Sequence, residues 1–165
     1  MNLYNLIELL AEDLGREYQH WHHYLTASTN VEGFHREELS EFFAEQAASE
    51  MQHVMQFRNL IMGICARRKM AIPFHEISIT VFEDDFTGEP EVKNQVSACA
   101  LLNHALDMED LVVSNYVQRI KDACEVQELG GEDEIDAKYI ELFLEDQLTD
   151  SRADADHLRK MLKSH

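Results

Sequence analysis

Glycine and proline are scarce in this chain of 165 residues, with six copies and two copies respectively. Both residues interrupt regular helices, so their scarcity indicates long helices joined by few turns. The three cysteines are widely spaced, and no Cys-x-x-Cys pair occurs. An odd set of this kind argues against a disulfide framework and a structural zinc site, and it fits a reduced, cytosolic setting.

Basic residues are also few. The chain has 14 lysines and arginines but 32 aspartates and glutamates, which gives a formal net charge of −18. Such a surface repels nucleic acid and anionic membranes and attracts cations, although solubility alone explains the charge equally well. No apolar run approaches membrane-spanning length, and the N-terminal residues include Glu8 but no basic leader. We therefore expect a soluble, cytoplasmic protein without nucleic-acid or membrane partners.

Apolar residues make up 45% of the chain, and its length suits a single domain over residues 1–165. Four segments show a seven-residue apolar repeat that is typical of long, packed helices. They run from about Asn2 to Thr29, Arg36 to Arg68, Glu91 to Glu128 and Glu132 to Lys163. Helices of this size are roughly 40–55 Å long and can bury their apolar stripes only side by side. The sequence predicts an all-α four-helix bundle.

The lengths of the connections predict the topology of this bundle. Short turns join the first helix to the second and the third to the fourth, so each pair should be antiparallel. The segment from Lys69 to Glu89 is much longer and is expected to cross the length of the bundle, and Pro90 just before the third helix suits a helix start. Within it, Ile77 to Phe82 is rich in β-forming residues, but a lone strand there has no sheet to join.

Polar residues interrupt the apolar stripe near the middle of every predicted helix. Glu17 is the only acid that we place on the inner stripe of the first helix, and Glu109 breaks the stripe of the third. Glu50 and His53 are three residues apart on one face of the second helix. On the fourth helix, Gln147 and Asp150 share this spacing, with Asp146 beside them.

A cluster of carboxylates with one imidazole suits iron or manganese, and shared carboxylates can hold two such ions. Glu50 and Glu109 are the natural bridges, and Glu17 and His53 the terminal ligands of one ion. A single glutamate on a helix stripe more often reaches out to water, and a lone Glu-x-x-His pair is weak by itself. Four interruptions at one level are much harder to explain by chance, and they favour a metal centre.

Other residues with metal-binding side chains have simpler interpretations. His20, His22 and His23 are one and two residues apart and point in different directions from a helix, so we expect surface imidazoles. Met51 faces away from the stripe of Glu50 and could bind haem at a subunit contact, but a plain contact residue is favoured. Trp21 and Tyr24 are expected to be core aromatics.

Taken together, these motifs make the chain resemble the ferritin superfamily, most closely its non-haem, bacterial-type ferritins. The resemblance covers all four helices and rests on Glu17 with Tyr24, Glu50-x-x-His53, Glu109, and Gln147 with Asp146 and Asp150. Bacterioferritins and rubrerythrins carry a second Glu-x-x-His on the fourth helix, which this chain lacks. The absence of Cys-x-x-Cys pairs also argues against rubrerythrin.

The resemblance implies a non-haem di-iron ferroxidase centre that oxidises Fe(II) with O2 or H2O2 and passes Fe(III) to a mineral store. Glu17, Glu50, His53 and Glu109 would hold the irons, and Tyr24 would hydrogen-bond to a bridging ligand or donate an electron. A neutral Gln147 would make the second iron more labile. Because Ser49 replaces an acid that many bacterial ferritins have, a third iron site would depend on Asp146 and Asp150.

The resemblance also implies a homo-oligomeric shell, but the sequence stops at His165 without the fifth helix of classical ferritins. Twelve subunits, twenty-four subunits with open channels, and a smaller oligomer all stay open. Three other functions compete with iron storage: a di-iron oxidase or peroxidase that stores nothing, a haem-binding bacterioferritin-like protein, and a purely structural bundle.

Overall fold

Four long helices dominate the computed structural model of the chain, which describes residues 1–73 and 96–165. The elements are α1 (Leu3–Asn30), β1 (Val31–Glu32), α2 (Arg36–Arg68), β2 (Val96–Ser97), α3 (Ala98–Gln127) and α4 (Gly131–Ser164). The predicted all-α four-helix bundle is confirmed. Three of the four helices begin and end within two residues of the predicted bounds.

The start of α3 differs from its prediction, which placed it at Glu91. The helix begins at Ala98, because Ser97 lies in extended backbone and its side chain accepts a hydrogen bond from the Ala100 backbone N–H. The predicted helix start at Pro90 and the β-rich stretch from Ile77 to Phe82 lie outside the described residues. A short pairing of strands does occur elsewhere, between β1 and β2.

This strand pairing fixes the topology of the bundle. The parallel pairing of β1 with β2 brings the start of α3 beside the end of α1. Short turns make α1 antiparallel to α2 and α3 antiparallel to α4. Because α3 starts beside the end of α1, α1 is also antiparallel to α3, and α2 to α4. The end of α2 and the start of α3 therefore lie at opposite ends of the bundle, as expected for helix pairs joined by a long crossover.

A layer of buried polar side chains divides the apolar core into two clusters. The larger cluster joins the first half of α1 and the second half of α2 to the second half of α3 and the first half of α4. The smaller cluster, at the opposite end, includes Tyr24, Phe43, Leu101 and Leu158. None of the helices among residues 1–73 and 96–165 combines the length and apolar character that a membrane span needs.

Candidate metal centre

The polar layer is built mainly by three helices. α1 supplies Glu17 and His20, α2 supplies Glu50 and His53, and α3 supplies Glu109, each no more than 6% exposed. On α1 and α2 the glutamate and histidine are three residues apart, so both side chains leave the same face of their helix. The four sequence-predicted residues Glu17, Glu50, His53 and Glu109 do converge.

These side chains form two groups that could each hold a metal ion, with ligand atoms within 4.8 Å of one another in each group. In the first group, the His53 Nδ1 atom is 3.1 Å from Glu50 Oε2 and 3.6 Å from Glu17 Oε2. In the second group, the His20 Nδ1 atom is 3.7 Å from Glu109 Oε1 and 4.0 Å from Glu50 Oε1. Glu50 thus contributes one oxygen to each group.

Two tyrosines orient the outer carboxylates in a reciprocal arrangement. The Tyr24 hydroxyl on α1 donates a hydrogen bond of 2.9 Å to Glu109 Oε1 on α3. The Tyr116 hydroxyl on α3 donates to Glu17 Oε1 on α1. Each tyrosine follows the glutamate of its own helix by seven residues. Because α1 and α3 are antiparallel, each tyrosine reaches the glutamate of the other helix. Hydroxyl groups that donate hydrogen bonds in this way fix the orientation of carboxylates that bind metal.

Burial of three carboxylates at one level raises the electrostatic cost of their charged forms. Burial and the charge of Glu17 raise the pKa of Glu50 well above its ordinary value. Burial, with the charges of Asp154 and Glu17, raises the pKa of Glu109 to about 8. Burial also opposes ionisation of Glu17, but its close contacts with His53 and Glu50 hold the pKa of Glu17 below its ordinary value.

The chemistry of the donor set fits a pair of divalent cations. Glu17 Oε2 and Glu109 Oε2 are buried and have no hydrogen-bond partner among the described residues. Although burial disfavours the imidazolium, the neighbouring carboxylates of Glu17 and Glu50 raise the pKa of His53 to about 11, so His53 holds a proton that a bound cation would displace. Carboxylate and imidazole donors without a thiolate suit iron or manganese, and they could hold such ions here.

The predicted residues of α4 lie at the edge of this arrangement. Gln147 is buried, its Nε2 atom donates to Gln56 Oε1 at 2.9 Å, and its Oε1 atom has no hydrogen-bond partner in the described part of the chain. Asp150 is 61% exposed at its side chain, with Oδ2 3.7 Å from His53 Nε2. Asp146 is exposed. Neither aspartate belongs to either metal group, and metal binding by these three residues stays a prediction.

An open groove between α2 and α4 leads to this edge of the polar layer. Its volume is about 690 Å³. Polar and acidic side chains line one part of it: Gln56, Asn59, Asp146, Gln147, Thr149 and Asp150. The acids and amides of this groove lie beside His53, since Asp150 Oδ2 is 3.7 Å from His53 Nε2.

The prediction of surface imidazoles is wrong for His20 and His23. Both are buried, at 4% and 1% exposure, and only His22 is half-buried. His20 follows Glu17 by three residues and therefore shares its inward face. The ring of His23 lies 4.6 Å from the ring of His104 between α1 and α3.

Two further expectations change with the structure. Glu17 is not the only inward-facing acid of α1, because Asp13 is also buried and pairs with Arg119 at 2.7 Å. Glu109 has an oxygen in the second group only, so Glu50 is the one carboxylate common to both groups of described residues.

Met51 is half-buried against the larger apolar cluster, as a packing residue.

Comparison with known proteins identifies the family to which this chain belongs. The model of the ferritin-like domain family matches residues 7–164. Among solved structures, the chain is similar to a protein from Bacillus anthracis str. Ames described as a ferritin-like, diiron-carboxylate protein. The two share 22% sequence identity over 98% of this chain and 99% of the other, with a TM-score of 0.66. No curated protein sequence matches the chain. The chain belongs to the ferritin-like domain family.

Proposed function

We propose that the chain is a ferroxidase that oxidises Fe(II) to Fe(III) within its own helical bundle, as part of iron storage and detoxification. The observation that carries the proposal is the position of Glu50, whose two carboxylate oxygens face two separate groups of buried ligands. The description of the Bacillus anthracis protein as a diiron-carboxylate protein supports iron as the metal.

The acidic charge of the chain would concentrate Fe(II) at the protein, since net charge of one sign attracts counter-ions. Glu17, Glu50 and His53 would hold one Fe(II), and Glu50 with Glu109 would hold the second. Binding displaces the protons that Glu50, Glu109 and His53 retain because their pKa values are raised. Two Fe(II) ions then lose one electron each to one O2, which takes up two protons and leaves as H2O2.

The tyrosines would keep the carboxylates in place during this reaction. Burial and the charge of Glu109 raise the pKa of Tyr24 well above its ordinary value, so Tyr24 keeps its proton and stays a hydrogen-bond donor. Tyr116 would act on Glu17 in the same way. The apolar clusters on either side exclude water from the ligands, which strengthens their electrostatic interaction with cations.

Aerobic Fe(II) oxidation by purified variants tests the assignment. Glu50→Ala and His53→Ala should slow oxidation by about 100-fold or more, because each removes a direct ligand whose supporting contacts alone are worth about 10–100-fold. Glu45→Ala is the matched control on the exposed side of α2 and should oxidise Fe(II) at the unaltered rate. Unchanged oxidation by both ligand variants would show that the site is wrongly assigned.

A second candidate is a di-iron oxidase that keeps its ions and stores no iron. The observation that favours it is the presence of an imidazole in both groups, since a nitrogen ligand for each ion suits retention rather than release. Sedimentation with and without iron separates the two functions. A hollow shell of twelve or more subunits that gains mass with Fe(III) supports storage, whereas a dimer of constant mass supports the oxidase.

A further inference from the structure

We propose that His20 is the nitrogen ligand of the second metal ion, so that α1 supplies an imidazole in place of a second Glu-x-x-His motif on the fourth helix. This inference rests on the proposed function, because it assigns one more ligand to the same centre. It replaces the expectation that a neutral Gln147 from α4 completes the second metal site.

The position of His20 meets the geometric requirement. Ligand atoms about 2.1 Å from one ion lie roughly 3–3.5 Å apart. The His20 Nδ1 atom lies 3.7 Å from Glu109 Oε1 and 4.0 Å from Glu50 Oε1, so small movements would close the three atoms around a cation. All three side chains are buried, at 4% exposure or less.

The hydrogen bonds of Glu109 leave one of its oxygens available to a cation beside His20. Glu109 Oε1 is the oxygen that lies 3.7 Å from His20 Nδ1. The oxygen in question already accepts the Tyr24 hydroxyl at 2.9 Å, while Glu109 Oε2 is buried and has no hydrogen-bond partner in the described ranges. A cation between the imidazole and Glu109 would bind to His20 Nδ1 and to both carboxylate oxygens of Glu109.

The arrangement gives each ion an equivalent set of ligands. His53 lies at Glu50 Oε2 with Glu17, and His20 lies at Glu50 Oε1 with Glu109. Each set contains one imidazole, one outer carboxylate that accepts a tyrosine hydroxyl, and one oxygen of Glu50. The two ions should therefore bind with comparable affinity, apart from their mutual repulsion.

Cobalt(II) is a suitable probe, because it takes the same ligands as Fe(II) and is not oxidised by air under ordinary conditions. Calorimetric titration of the full chain should give two Co(II) per subunit. Proton NMR of the loaded protein should show two exchangeable, strongly shifted imidazole N–H signals, one each from His20 and His53. This readout does not depend on catalysis.

The variants His20→Ala and His20→Gln should lose one of these two signals and weaken one Co(II) site by about 100-fold or more. His22→Ala, two residues along the same helix and outside both groups, is the matched control and should keep both signals and both affinities. Because the signal count is also made on the unaltered protein, the result stands even if His20→Ala does not fold.

Three results decide between the proposals. Two Co(II) bound but a single imidazole signal in the unaltered protein would overturn the role of His20 and leave the di-metal centre intact. Two signals and full affinity in His20→Gln would do the same. No Co(II) or Fe(II) bound by the unaltered protein would remove the proposed function together with this inference.

Discussion

The seam between α1 and α3 and the seam between α2 and α4 are built in opposite ways. Across the first, tyrosine hydroxyls donate to buried carboxylates, and Arg119 holds Asp13 through two hydrogen bonds of 2.7 and 3.1 Å. Across the second lies a groove of about 690 Å³ with exposed acids, closed at one end by arginine–carboxylate pairs. Both seams are polar, but only the first is buried.

From this difference in burial between the seams we infer that the two sides of the bundle have different roles. Ligands must be held in fixed positions by groups that water does not reach, and the α1–α3 seam provides them. Cations must also enter and exchange, and we propose that they do so through the α2–α4 groove, because carboxylates and amides line it beside His53. The four predictions below test this division, from the largest expected effect to the smallest.

Arg119→Met should destabilise the protein by about 3 kcal/mol, because it removes the buried guanidinium from Asp13 and leaves Asp13 paired with Arg16, whose side chain is 34% exposed. Arg67→Met on the α2–α4 seam should cost less than about 1 kcal/mol, since Arg67 is 58% exposed at its side chain and Asp136 keeps Arg68. Denaturant unfolding of both variants measures the two losses. Equal losses would contradict the contrast between the seams.

The metal-free protein should lose stability as pH rises from 6 to 9. The pKa of Glu109 is raised from 4.5 to about 8 and that of His53 from 6.5 to about 11, so each contributes stability at low pH that is lost as pH rises through its folded pKa. We expect the melting temperature to fall by about 5 °C or more. Glu109→Gln should reduce the fall, and a bound divalent cation should reverse it, because cations replace the protons.

Tyr24→Phe and Tyr116→Phe should each weaken binding of one Co(II) by about 10–100-fold, because each removes the donor that orients an outer carboxylate. Tyr139→Phe provides the control, since Tyr139 lines the groove of the other seam and is 57% exposed. Calorimetry gives the affinities. Equal effects of all three substitutions would show that the two seams do not differ in this way.

The double variant Asp146→Asn with Asp150→Asn should slow Fe(II) uptake several-fold at low salt and little at high salt, as electrostatic steering predicts. Glu145→Gln with Asp156→Asn makes the same change of charge outside the groove and should have a smaller effect. Stopped-flow mixing measures the rates. A large loss of equilibrium affinity would instead support the prediction that Asp146 and Asp150 bind metal.

The seven-residue repeat was sufficient to predict the bundle, because helices of this length have few other ways to bury an apolar stripe. It also located Glu17, Glu50, His53 and Glu109, since a carboxylate or imidazole in the middle of such a stripe is conspicuous. The start of α3 was not predictable in this way. Pro90 is a common first residue of a helix, and nothing local showed that Val96–Ser97 would pair with β1 instead.

His20 and Asp13 were missed for a common reason. A helix face is wider than one line of residues, so positions three and four away from a stripe residue also point inward. His20 was treated with its neighbours His22 and His23, although its spacing of three from Glu17 was the informative one. Tyr116 could have been found from its spacing of seven from Glu109, which repeats the spacing of Tyr24 from Glu17.

The polar layer has a consequence for how the molecule opens. It places buried carboxylates and imidazoles, rather than apolar contacts, between the smaller apolar cluster and the larger one. Each end of the bundle can then behave as its own cooperative unit, with amides around Phe43 and Leu158 exchanging their hydrogens ahead of those near Phe57. Bound cations would link the two units, so iron would stabilise the contact between the two halves of the bundle as well as being the substrate.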